Sequence, residues 1–404
     1  MTAALVDPTK QRSTTSFRPP PPQTMTLLIS TAEEMNPTRR NTMEDVHVIH
    51  APQTWGAPHP SASFIGIYDG HGGRLIVDYL EDHLAQNVAQ EWTFEMKKNG
   101  EGNGVEEGTG AAGAGRKRRL SGSNGHNDSD DDSSKSSDEE EDEEERDDGE
   151  IIRNSLERAF LLTDIQSRMA GLTTSGATVV CTIIIPKFDT DGKCTEIEIH
   201  AANAGDARAV LSSTLARSAS SSSSSFNTQI SFNQETTNNA VRITHDHKST
   251  DSSEIERIKS AGGTMIRNRV LGILAVARSL GDHGLKEFVI AKPYLSSTVV
   301  KIVDCNGDDD VMGRNDNNGK NNGQPVKTNN NTSSTSHPYT NGEFLIVACD
   351  GLWDVMEDDE AVDAVRAHVA KNGPAARTDV ASILVNEALE RGSTDNITVV
   401  VYWL

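Results

Sequence analysis

The chain has 404 residues, 35% of them hydrophobic, and a formal net charge of −22 from 60 acids against 38 lysines and arginines. Residues 128–150 alone hold 15 acids and 2 bases, so the remainder is only mildly acidic and lacks the basic face that nucleic acid requires. Residues 1–24, and stretches near 94–150, 213–240 and 306–340, are too polar or too biased to pack a core, which leaves about 260 residues, a size that suits one large domain over 25–404 with three inserts.

A short, apolar, β-branched run at Phe64–Tyr68 predicts the first clear strand. Val77, Leu80, Leu84 and Val88 then share one helical face, and Leu162, Ile165 and Met169 do the same in a helix starting near Ile151. Strands are predicted at Ala177–Ile185, Glu196–Ala202, Arg208–Leu211 and Glu343–Cys349. A helix carrying Val362, Val365 and Val369 is stopped by Asn372-Gly373-Pro374, and a last one, with Leu384 and Ala388 inward, takes Asp379 as N-cap and Gly392 as stop. The final strand is Asn396–Trp403. Strands come two or three in succession, which favours an α+β layout with antiparallel sheets over a doubly wound parallel sheet.

Acids border these strands. Glu44 and Asp45 stand in "RRNTMEDVH", Asp69 follows Phe64–Tyr68 in "FIGIYDGHGG", and Asp206 follows a strand in "NAGDARAV". Asp350 ends "FLIVACD", Asp354 lies four residues on, and Asp395 precedes the last strand. If the strand ends converge, these carboxylates repel one another, and a hard divalent cation resolves the conflict. Oxygen ligands without paired cysteines point to Mg²⁺ or Mn²⁺ rather than zinc. Gly70, having no Cβ, lets the backbone come close to an ion or water. Taken singly, each acid reads first as turn chemistry or a solvated charge, Glu44 as the latter, with only Asp206, as a hairpin turn, evenly balanced. His71 alone reads first as a surface-loop histidine.

The four cysteines have no paired spacing, so free thiols in a reducing compartment are expected. No apolar signal core and no membrane-length run is seen, and the expected location is cytoplasmic, nuclear or both.

An ordered set of motifs resembles the metal-dependent Ser/Thr protein phosphatases of type 2C (the PPM family), of fungal type with low-complexity inserts. The matching stretches are "RRNTMEDVH" (39–47), "FIGIYDGHGG" (64–73), "SGATVVCTII" (175–184), "ANAGDARAVL" (202–211), "THDHKSTDSSEIERIKSAGG" (244–263), "RVLGILAVARSLGD" (269–282), "FLIVACDGLWDV" (344–355) and "GSTDNITVVV" (392–401). The resemblance implies a four-layer αββα sandwich, two antiparallel β-sheets flanked by helices, with a binuclear metal site at one edge. It implies that Asp69 bridges two Mg²⁺ or Mn²⁺ ions, that Glu44 and the Gly70 carbonyl hold one, and that Asp350 and Asp395 hold the other. Asp206 and Asp354 match positions tied to a weaker third ion in parts of the family. Arg40 matches the arginine that grips the substrate phosphate, and His71 the proposed general acid. The implied reaction is hydrolysis of phosphoserine and phosphothreonine by a metal-activated water, without a phosphoenzyme. The implied partners are phosphoprotein substrates, stress or MAP kinase pathway proteins among them, acting on a monomer without nucleic acid or membrane. One departure is Ser249 after "DHK", where proline is common. Arg278 and Asp282, in "AVARSLGD", also match patterned positions, and the expectation for both is structural: a buried arginine paired with an acid near a turn.

Two other classes compete with this reading. The acidic insert could serve a docking factor for basic partners, but the intact acid set argues against that as the main role. A two-metal nuclease would use similar ions, but no basic face exists outside 116–119. The insert segment "GRKRRLSGS" (115–123) matches a basic-directed kinase site at Ser121 and an import signal, and Ser129, Ser133, Ser134, Ser136 and Ser137 sit among acids. A solvated linker remains the leading reading there.

Overall fold

The computed structural model describes residues 27–101, 147–212, 239–302 and 343–404. The elements in chain order begin with β1 (Leu28–Glu34), β2 (Asp45–His50), β3 (Ser63–His71), α1 (Leu75–Glu101) and α2 (Asp148–Met169). Next come β4 (Gly176–Phe188), β5 (Cys194–Ala204), β6 (Arg208–Ser212), β7 (Ala240–Arg242) and α3 (Ser252–Ser260). Short pieces β8 (Met265–Ile266), β9 (Arg269–Val270) and β10 (Leu280–Gly281) precede β11 (Tyr294–Lys301). The chain closes with β12 (Phe344–Ala348), α4 (Asp350–Trp353), α5 (Asp358–Asn372), α6 (Val380–Glu390) and β13 (Ile397–Trp403). One antiparallel sheet runs β1-β13-β12-β6-β7, and the other β11-β5-β4-β3-β2, with β10 paired to β4.

Side chains alternate across each strand, so one strand feeds two cores. In β3, Ile65 and Ile67 face the layer between the sheets with Val400 and Leu345, while Phe64 and Tyr68 pack against α1 and α2. In β13, Val400 and Tyr402 face inward and Val399, Val401 and Trp403 pack under α5 and α6. Both faces of both sheets are therefore covered, which is why these strands read as near-continuous apolar runs. The layers are helices, sheet, sheet, helices, as the sequence reading expects. A smaller core of Ile258, Val270, Ala277 and Val289 holds the α3–β9 region together.

Three expectations are corrected. The insert expected from 94 begins later: α1 continues to Glu101, burying Trp92 and Glu95 on the way, and α2 starts at Asp148. The stripe Leu162, Ile165 and Met169 does not face the core. Ile165 is 57% and Met169 81% exposed, and the buried side of that half of α2 is polar: Thr163, Asp164 and Ser167. These groups have partners, because Asn87 Nδ2 donates to Thr163 Oγ1 (2.8 Å) and Asp164 Oδ1 accepts from the Gly281 amide (2.8 Å). Asp379 stands at the N-cap position of α6 but does not cap it; His368 Nε2 lies 3.0 Å from its carboxylate, and Ser30 Oγ accepts from the Ala381 amide (3.1 Å).

Cys181, Cys194 and Cys349 are free and buried, and Cys305 lies outside the described residues. The motif segment 115–123 and the serines at 129–137 also lie outside them. Among the described residues no helix is long and apolar enough to cross a membrane.

Candidate active site

The acids gather at one edge of the sandwich because the strand order brings their strand ends together. Asp69 lies in β3 with Asp45 of β2 directly opposite on one side and Thr178 of β4 on the other. The strand does not stop at Tyr68 as its apolar run suggests. It continues through Asp69, Gly70 and His71, because β4 pairs with all three. Asp350 opens α4 immediately after β12, and Asp354 stands one turn later. Asp206 sits in the tight turn between β5 and β6, and Asp395 precedes β13. Since β6, β12 and β13 are neighbours, their acids come from adjacent strands of one sheet, facing Asp69 from the other.

Electrostatics records the convergence. Asp69 and Asp350 keep some exposed surface as residues, while their carboxyl groups lie deep among protein atoms. Burial pushes the Asp69 carboxyl well above the usual carboxylate range, and Asp350, Asp45, Asp206 and Asp395 push it the same way. Burial likewise raises Asp350 well above that range, helped by Asp206, Asp354, Asp395 and Asp45. Burial lifts Asp206 to about 6 against the pull of Lys248. Its Oδ1 is buried without a hydrogen-bond partner. Asp45 is also lifted to about 6 by burial, although Thr398 Oγ1 donates to it at 2.7 Å.

Glu44 is attached to the same edge through its backbone. Its carbonyl accepts from the Gly70 amide (3.2 Å), and its own amide donates to Asn396 Oδ1 (2.9 Å). A Cβ built on Gly70 would lie 2.5 Å from the Glu44 carbonyl oxygen, so only glycine allows this approach.

Basic groups hold some of the acids. Arg40, at the mouth, forms an ion pair with Asp395 and donates to the Thr394 carbonyl at 3.2 Å. Lys248 Nζ lies 2.6 Å from Asp354 Oδ1. Among the described residues no group of three or more acid, histidine or cysteine side chains is arranged as a metal cage. The donor chemistry nevertheless suits hard cations: every candidate is an oxygen, and Asp206 Oδ1 is buried without a partner.

Arg278 is structural, as expected: its guanidinium binds Glu254 Oε1 at 2.6 Å. Asp282 departs from expectation, because its carboxylate holds His71 Nε2 at 2.9 and 2.8 Å. Ser249 Oγ donates to the Asn268 carbonyl, tying the segment after "DHK" to the β8–β9 turn. The sequence reading missed Asn396, named Asp45 without its burial, and named Asp282 without its partner. Asp45 lay beside Glu44 without a signal that it was buried. Asn396 Nδ2 donates to the carbonyls of Met35 (2.8 Å) and Thr42 (3.0 Å), lacing the Arg40–Glu44 segment to β13. Asp282 is 211 residues from the histidine it holds.

A sequence model described as protein phosphatase 2C matches residues 120–397, more than half of the chain. That span includes Asp206, Asp350, Asp354 and Asp395; Glu44, Asp69 and His71 precede it. Protein phosphatase 2C homolog 1 of Schizosaccharomyces pombe is 27% identical over 381 residues, covering 94% of this chain and 74% of that one. Protein phosphatase 2C homolog 1 of Saccharomyces cerevisiae is 25% identical over 400 residues, covering 96% and 97%. In fold, the crystal structure of a serine-threonine phosphatase 2C from Toxoplasma gondii superposes with a TM-score of 0.54 at 16% identity, covering 96% of this chain and 98% of that one. The sandwich, the gathered acids and these matches agree: the chain belongs to the protein phosphatase 2C family, and it is an enzyme of the serine/threonine protein phosphatase class.

Proposed function

We propose that the acid cluster is a divalent-cation site at which water hydrolyses phosphoserine and phosphothreonine in protein substrates. The observation that carries this reading is the set of carboxylates from β3, the β5–β6 turn, α4 and the start of β13, packed so that burial and mutual repulsion raise Asp69 and Asp350 together. Folding places these charges together at a cost in stability, and a cation bound among them relieves it. Asp69, Glu44, the Gly70 carbonyl, Asp350 and Asp395 would hold two Mg²⁺ or Mn²⁺ ions, and Asp206 and Asp354 would serve a third. Bound there, such ions supply Lewis acidity and lower the pKa of a water molecule toward neutrality.

The chain's own residues do the rest. The planar Arg40 fork, held at the site's edge by its pairing with Asp395, can donate two hydrogen bonds to phosphoryl oxygens, a geometry lysine cannot reproduce. Water adds its oxygen to phosphorus as the P–Oγ bond breaks. His71 gives the departing serine or threonine oxygen a proton and regains one released by the attacking water. The products are a free side-chain hydroxyl and hydrogen phosphate.

The test is turnover of a phosphoserine peptide by chelator-treated protein, before and after Mn²⁺ or Mg²⁺ is restored. Activity absent in chelator and recovered with either ion is expected. Full activity in chelator would overturn the reading.

A further inference from the structure

His71 is held by one buried acid, and that acid is held by a dedicated scaffold. Both carboxylate oxygens of Asp282 lie within 2.9 Å of His71 Nε2. The Asp282 side chain is 11% exposed, while the imidazole keeps 32% of its surface open. Among the described residues Nδ1 of His71 has no hydrogen-bond partner. A ring whose Nε2–H is committed to a carboxylate presents Nδ1 as its working nitrogen.

Everything around Asp282 serves that placement. Its backbone adopts φ +46, a left-handed conformation that costs energy for a residue with a side chain. Its amide donates to the Ser175 carbonyl (3.1 Å), and Ser279 Oγ donates to Oδ2 (2.5 Å). The preceding Gly281 amide donates to buried Asp164 Oδ1 (2.8 Å), which also accepts from Lys286 Nζ (3.0 Å). Asp164, on the polar face of α2, serves this placement. Gly176, opposite both His71 and Gly281 in the sheet, leaves the space that the carboxylate fills. A Cβ there would lie 2.1 Å from Asp282 Oδ2. Burial would raise the Asp282 carboxyl, but the hydrogen bond and charge of His71, with Ser279 and Lys286, hold it below the usual range.

We propose that Asp282 is the positioning residue of the reaction: it fixes the His71 ring through Nε2 so that Nδ1 delivers the proton to the leaving oxygen, with Gly176 and Asp164 fixing Asp282 in turn. The proposal rests on the reading of His71 as general acid, and the experiment separates the two. Turnover is measured at saturating Mn²⁺ on a phosphoserine peptide, whose alkoxide leaving group needs the proton, and on p-nitrophenyl phosphate, whose leaving group hardly does. The variants are His71→Gln, Asp282→Gly, their combination, and Gly176→Ala. Glycine is chosen at 282 because it tolerates the positive φ.

His71→Gln is expected to slow the peptide reaction by ~10²–10⁴-fold while sparing the aryl substrate. Asp282→Gly is expected to slow the peptide by about 10²-fold, the scale of a misplaced catalytic group, and to spare the aryl substrate in the same way. In the His71→Gln background it adds nothing, and the Mn²⁺ half-saturation is unchanged. Gly176→Ala, which displaces the carboxylate without removing it, gives the same selective pattern and decides the matter should Asp282→Gly not fold. Equal losses on both substrates for His71→Gln would remove the acid role, and this proposal with it. A selective loss for His71→Gln, joined by an unselective loss, an additive loss or no loss for the folded Asp282 and Gly176 variants, would overturn the positioning role alone.

Discussion

Asp69 and Asp350 carry a conflict that the sequence shows only in part. Each ends or follows an apolar run, and that position made them visible as candidates, with Asp206 and Asp395. Asp45 and Asp282 were visible as residues but not in their roles, and Asn396 was not visible at all, since their meaning lies in partners more than 200 residues away, such as Thr398 at a separation of 353 from Asp45. An acid whose folded-state pKa is raised binds its proton more tightly folded than unfolded. Its stabilising contribution is present below the unfolded value and is lost as pH rises through the folded one. For Asp45 and Asp206 that window runs from 3.8 to about 6. In chelator, Asp69→Asn should therefore melt above the wild type at about pH 7.5, with the difference closing near pH 4 as the cluster protonates. Activity of the same variant should fall by more than the ~10–100-fold typical of outer-shell partners of a metal site. A melt below the wild type at the higher pH would contradict the repulsion. Arg40→Lys should keep its charge yet raise KM for the phosphopeptide, because a point charge does not replace the fork.

At the scale of elements, the central strands were legible, whereas the edge strands β1, β2, β7 and β11 went unread. Both faces of each sheet are covered, so β3, β4, β12 and β13 announce themselves as unbroken apolar runs. Helix α2 was misread in its second half for a definite reason. Its core-facing side is built from Thr163, Asp164 and Ser167, each hydrogen-bonded, and its hydrophobic residues at the same spacing face outward. Periodicity counts apolar side chains and cannot see a polar face that finds its partners in α1 and the loop around β10. Two substitutions test this assignment by urea unfolding. Phe160→Ala, at a fully buried site, should cost about 3–5 kcal/mol. Ile165→Ala, on the exposed side, should stay within about 0.5 kcal/mol. The reverse order would restore the stripe that the spacing suggested.

At the scale of the molecule, the four-layer order was legible through resemblance and through the succession of strands, whereas insert boundaries were not, because composition changes gradually where helices end abruptly. The insert between α1 and α2 carries the acidic run, and its composition gives it little to bury. Replacing residues 102–146 by a flexible linker should leave one cooperative thermal transition and near-normal turnover of p-nitrophenyl phosphate; loss of the cooperative transition would make the insert part of the core. Divalent-cation binding by the carboxylates gathered from both sheets underlies the proposed chemistry. It is tested most directly by calorimetric titration of Mn²⁺ into chelator-treated protein, alongside Asp69→Asn and Asp350→Asn. At least two ions bound per wild-type chain are expected, with weakened or lost binding in both variants. No binding to the wild type, or binding that both variants leave unchanged, would contradict it.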